Sequence, residues 1–264
     1  MYVTKRKRIV KLPDREIDFG EWKLTDFIMP DSYASRAIFA EAWGRLSQFY
    51  AENPGYARKI EKMIGLDNMV VKEMWNVVNL QIKYRHDDPV FQTPDFWLLP
   101  NETWTQKHGD CEDTTFLLVS VVEGFLKSIK SSNKIYACLG FYIDPYTGQV
   151  YGHGFPLYKA EFYNGWLWLE STLETAVSQS VWFSWSPQSL VPVYFFNSRE
   201  SYRVDRDYSK LGLSREYVDS HRDLINAMID YVEAGKWLNV KWMHKGRRTP
   251  SITEKIILPV AEPE

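Results

Sequence analysis

The stretch KHGDCEDTT, Lys107 to Thr115, sets a cysteine among three acidic residues just before the apolar run FLLVSVV. The chain has two cysteines, Cys111 and Cys138, and no CxxC pair; that is too few for a disulfide framework and the wrong pattern for structural zinc. Free thiols in a reducing setting are therefore expected. Cys111 opens a helix whose apolar side runs through Phe116, Leu118, Val119, Val122 and Leu126. Gly109 lets the backbone turn sharply and Asp110 can cap the free amides. A thiol at that position feels the positive end of the helix dipole, which favours the nucleophilic thiolate. Asp110, Glu112 and Asp113 act in the opposite direction unless their carboxylates point away, so a basic partner is required.

Five histidines could supply one. His108 precedes the tight turn and would have to fold back. His86 lies in a charged stretch, and His221 and His244 fall in the C-terminal tail, where solvated surface is the simpler expectation. His153 stands between two glycines in YGHGFPLY, so that another group can approach its ring closely.

An acid that orients the imidazole completes such a site, and Glu170 in LWLEST lies on the next strand. A two-residue turn at Asn164 and Gly165 would set Glu170 opposite Lys159, roughly 20 Å from His153. A four-residue loop, Glu161 to Asn164, instead sets Ala160 against Gly165 and Glu170 opposite Phe155, diagonally adjacent to His153 on one sheet face. A catalytic reading requires the second register.

The elements that must position these groups follow from periodicity. Residues 1 to about 30 are charged and irregular. Asp31 or Ser32 caps a helix through YASRAIFAEAWGRLSQFYAE, with Ile38, Trp43, Leu46, Phe49 and Tyr50 near helical spacing. Asn53 and Pro54 start a second helix that Gly65 stops. LDNMVVKEMWNVVNLQIKY makes a third, with Val70, Val71, Met74, Trp75, Val78 and Ile82 on one face. RHDDPVFQTPDFWLLPNETW, with Pro89, Pro94 and Pro100, reads as a long ordered loop. Strands are expected in KIYACLGFYI, QVYGHGFPLYKA, GWLWLEST and LVPVYFFN, with a turn at DPYTG. Cys138 falls in the first of these strands as a buried residue; a Cys111–Cys138 disulfide is the redox alternative. One helix, around Ser214 to Ala234, precedes a polar tail ending PVAEPE.

GDCED opening an apolar helix, then GHGF, then GWLWLEST, resembles the transglutaminase-like superfamily of papain-like cysteine enzymes, in the order cysteine, histidine, acid. DFWLLPNETWTQKHGDCED is similar to its bacterial, archaeal and phage branch, and the match runs from about Val70 to Thr175. The resemblance implies an α+β fold, a cysteine-bearing helix packed on an antiparallel sheet, with helical N- and C-terminal extensions. Residues 1–69 form the mainly helical N-terminal extension, 70–200 the catalytic core, and 201–264 a C-terminal extension with one helix and a polar tail. It implies Cys111 as nucleophile, His153 as general base and Glu170 as orienting acid, acting through a thioester on a peptide or protein substrate, with no cofactor or metal. Trp104 and Gln106 are the candidates for a second oxyanion donor beside the Cys111 amide. The family's usual acid is aspartate and its usual motif HAW, so Glu170 adds a methylene and Gly154–Phe155 replace two residues.

Composition bounds the alternatives. At 264 residues, 45% hydrophobic and 25% charged, the chain can bury one substantial core with extensions. A formal net charge of −2 gives no overall pull toward nucleic acid or an anionic membrane; KRKR at Lys5 to Arg8 and KGRR at Lys245 to Arg248 read as solvated tails. No apolar run nears the roughly 20 residues of a membrane span, and no apolar signal segment follows the first basic residues, so a cytoplasmic protein is expected, with virion association as the alternative. The competing functional reading is a non-catalytic binding or assembly module, of a kind suited to a phage particle, that keeps the fold and docks partners through its terminal extensions.

Overall fold

A computed structural model describes residues 5–11, 16–86, 96–234 and 255–257. The architecture is α+β, with the cysteine-bearing helix packed on an antiparallel sheet, as the resemblance implies.

The chain opens on a hairpin, β1 (Lys5–Lys11) and β2 (Glu16–Lys23), where an irregular segment was expected. Its register sets Lys7 against Glu21 and Lys11 against Glu16. The residues of this register are mostly charged, so the hairpin lacks the apolar alternation that marks a strand in sequence. A single 3-10 turn, Leu24–Phe27, then buries Leu24 and Phe27.

Ser32 caps α1 (Tyr33–Glu52) by accepting the Ser35 amide at 3.1 Å. The helix buries Ala34, Ile38, Ala42 and Leu46, an i, i+4 stripe; Trp43, expected inside, is 46% exposed. α2 (Pro54–Ile64) has Pro54 at its start and ends at Gly65, whose φ of 86° lies in the region that favours glycine. α3 (Leu66–Gln81) is buried all round from Asn68 to Asn79 rather than along one face. Its polar side is inward because it holds the chain that follows Glu170: Asn76 exchanges hydrogen bonds with the Val177 backbone at 2.7 and 3.1 Å, and the Trp75 indole donates to the Glu170 carbonyl at 2.6 Å.

Of the expected long loop, residues 87–95 lie outside the described residues. Its end is a helix, α4 (Pro100–Gln106): Pro100 occupies the first turn, where its missing N–H costs nothing, and the Glu102 carboxylate accepts the Leu99 amide at 2.7 Å. β3 (Lys83–Tyr84) pairs in parallel with β4 (His108–Gly109), tying the end of α3 to the approach to α5 (Cys111–Ser128).

The main sheet has the order β10-β9-β5-β6-β7, all antiparallel: β5 (Lys134–Ile143), β6 (Val150–Lys159), β7 (Leu167–Trp168), β9 (Leu190–Phe196) and β10 (Ser201–Arg203). β7 is shorter than GWLWLEST suggests, because the chain leaves the ladder to meet α3. β8 (Val181–Phe183) pairs with β11 (Lys255–Ile257) beside it. After α6 (Val204–Asp207), the expected single C-terminal helix is two, α7 (Arg215–Ser220) and α8 (Arg222–Ala234), divided at His221. One hydrophobic core runs from Leu24 to Val232 and joins the terminal helices to the sheet. No helix among the described residues is long and apolar enough to cross a membrane.

Candidate active site

The start of α5 is fixed from below by Asp113, which is fully buried. Its carboxylate accepts the Leu98 amide at 2.7 Å and the Asp110 amide at 3.3 Å, pinning both the incoming loop and the first turn. Gly109 is required by crowding rather than by a turn: a Cβ there would lie 2.7 Å from Asp113 Cβ. Cys111 occupies the first helical position and is 8% exposed.

β6 meets that helix edge-on. A Cβ on Gly154 would lie 2.8 Å from Glu112 Cα and 2.9 Å from its nitrogen, so only glycine lets the strand approach this closely. The Gly154 backbone favours the thiolate form of Cys111, and His153 lines the same cleft as Cys111.

Glu170 reaches His153 because the β6–β7 loop is the longer one. Leu157 pairs with Trp168 and Tyr158 with Leu167; carried two places further, this register sets Glu170 opposite Phe155. Glu170 Oε2 lies 3.1 Å from His153 Nε2, and Oε1 accepts the Thr172 amide at 2.9 Å and hydroxyl at 2.6 Å. The carboxylate is 1% exposed. Burial pushes its pKa up, but the His153 charge and the hydrogen bonds from His153 and Thr172 outweigh it and hold the carboxyl below its usual range. An ionised carboxylate only accepts, so Nε2 carries the proton it donates and Nδ1 is the ring nitrogen left for another partner.

The thiol is set differently from the thiolate that the helix dipole favours. Cys111 Sγ donates to Glu112 Oε2 at 2.9 Å, so this carboxylate points at the sulfur rather than away. Burial first, then the charges of Glu112 and Asp110, push the thiol well above its ordinary value, and the Gly154 backbone only partly offsets them.

The cleft encloses about 290 Å³, counting its open mouth, and joins Cys111, Glu112, His153 and Gly154 to Trp97, Met228 and Tyr231. Neither oxyanion candidate lines it. Trp104 points from α4 into the core, with the Lys107 ammonium over its ring, and Gln106 is exposed on the same short helix. Trp97 arrives from the preceding loop, between Phe27 and Phe116 at 5.3 and 5.5 Å; only its place in FWLLP hinted at it. Met228 and Tyr231 come from α8, and nothing local in their sequence pointed to this cleft.

Of the other histidines, His108 lies on β4, His221 bonds the Tyr217 carbonyl at the break before α8, and His244 is outside the described residues. Cys138 is fully buried opposite Phe155 on β5, and both thiols are free. Among the described residues, no three His, Cys, Asp or Glu side chains gather as a metal site.

No family model matches the chain, and no curated protein matches it. Solved structures do. Legionella pneumophila LapG is 18% identical with a TM-score of 0.38, over 74% of this chain and 97% of that one. Its EGTA-treated form is 17% identical at 0.40 over the same shares. A proposed cysteine protease of Cytophaga hutchinsonii is 13% identical at 0.32, over 72% of this chain and 51% of that one.

Proposed function

We propose that this chain is a cysteine-dependent amide hydrolase or acyltransferase acting on a peptide or protein through Cys111, His153 and Glu170. The observation that carries the reading is the His153–Glu170 hydrogen bond at 3.1 Å, on an imidazole that shares a cleft with a sulfur at a helix start. Glu170 fixes the Nε2–H tautomer, so Nδ1 is the base. As Sγ attacks the carbonyl carbon, its proton passes to Nδ1 and the C=O electrons move to oxygen. The Cys111 amide, free of the helix ladder as at any helix start, stabilises that oxyanion. Collapse expels the amine, which takes the proton from Nδ1 and leaves a thioester. Water then gives its proton to Nδ1, attacks, and releases the acid with the thiol re-protonated; an amine in place of water gives transfer.

The buried, raised thiol favours a second reading, a binding or assembly module whose site is dormant. Incubation with a peptide-amide library and mass spectrometry of the products separates the two. The first requires cleavage or amine exchange, by wild type or by Glu233→Gln, that Cys111→Ala abolishes; a library left intact by both, or cleaved equally by Cys111→Ala, rejects it.

A further inference from the structure

We infer that α8 is an autoinhibitory gate over the cleft, and that the described state is the closed one. This rests on the reading of Cys111 as the nucleophile. Met228 and Tyr231 stand one turn apart on α8 and so share a face. They are 3% and 8% exposed, and they line the cleft together with Cys111 and His153. A peptide bearing its scissile carbonyl to Sγ must run along the cleft in extended form, through space this face now fills. Cys111 is itself 8% exposed in that cleft and its thiol donates to Glu112, so the sulfur is screened from a substrate where the α8 face lies.

One hold on the helix is local. At its C-terminal end Glu233 Oε1 accepts from the Tyr194 hydroxyl at 2.8 Å and from Arg203 Nη1 at 3.1 Å, and Arg203 is itself held by both oxygens of Asp205. At its N-terminal end the break at His221 separates it from α7. Besides this latch, α8 buries Ile225, Met228, Tyr231 and Val232 in the core, so opening releases the latch and that apolar face together, as a locally unfolding unit does.

The test reads the rate at which neutral iodoacetamide modifies Cys111 at pH 8 under native conditions, by peptide mass spectrometry, with Cys138 as the internal report of global unfolding. Glu233→Gln and Tyr231→Ala are each expected to raise the Cys111 rate about tenfold while Cys138 stays unmodified. Should Tyr231→Ala expose both cysteines, Glu233→Gln alone decides, since that substitution lies outside the core. An unchanged Cys111 rate overturns the gate. Peptide cleavage measured alongside keeps the two proposals apart. Faster alkylation without cleavage supports the gate and rejects the hydrolase reading, whereas wild-type cleavage as fast as that of the variants rejects the gate alone.

Discussion

Replacing Glu112 by glutamine keeps the side chain's length and its oxygen acceptor and removes only the charge beside the sulfur. That oxygen is 2.9 Å from Sγ, so in the thiolate form two negative charges would face each other at near contact. At roughly 4 Å and an effective dielectric of about 20, such a repulsion is about 4 kcal/mol, or about a 1,000-fold bias against the thiolate. Glu112 is partly exposed, and solvent screening reduces this bias toward about tenfold. A thiolate made easier to form is also a weaker nucleophile, with a Brønsted slope of about 0.5, so alkylation at pH 8 should accelerate by about 3- to 30-fold. Burial, the larger cause of the raised pKa, is untouched, and the titration should stay above the ordinary thiol range. Initial iodoacetamide rates on the Cys111 peptide between pH 7 and 10 measure both quantities. A rate at pH 8 that is unchanged or slower in Glu112→Gln would refute the electrostatic reasoning.

Three other substitutions probe the scaffold. The Glu170 carboxyl is held below its usual range, so the stability it contributes is present at neutral pH and is lost as pH falls through that depressed value. His153→Ala removes the strongest influence pulling it down and should move the acid-unfolding midpoint, followed by tryptophan fluorescence, to higher pH; an unmoved midpoint would contradict the pairing. Gly154→Ala forces a methyl onto the backbone of Glu112 and should cost about 1–3 kcal/mol, a fall of several degrees in Tm, with no loss if the strand lies further from the helix than described. Lys72 is fully buried between the rings of Trp75 and Trp182, each 4.2 Å away, and burial pushes its pKa well down. Between that value and the ordinary ~10.4 the unfolded chain binds a proton the native chain does not, so this group's contribution rises with pH. Denaturant titrations should therefore show wild type gaining on Lys72→Met as pH rises, and a pH-independent difference would sink the assignment.

What was legible in the sequence was what strand period and loop length control. The pairing of His153 with Glu170 turns on whether the β6–β7 connection has two residues or four, a choice that can be worked out on paper because the side-chain period of a strand is fixed at two. The helix starts at Ser32, Pro54 and Cys111 were legible for a similar reason, since capping chemistry is local. The β1–β2 hairpin was hidden because charged residues carry its register. α4 was hidden because a proline at the first helical position looks the same in sequence as one that breaks a helix. The orientation of the Glu112 carboxylate is a rotamer choice, and the seating of Met228 and Tyr231 is a tertiary contact across the whole chain; no periodicity encodes either one.

The most direct measurement is acid-quenched mass spectrometry of the chain during incubation with the peptide-amide library, using wild type and Glu233→Gln so that a closed gate does not hide the chemistry. An acyl adduct confined to the Cys111 peptide, released by hydroxylamine and missing from Cys111→Ala, is the predicted result. Turnover that survives in Cys111→Ala, or turnover with the acyl group on some other residue, would contradict a thioester at this sulfur.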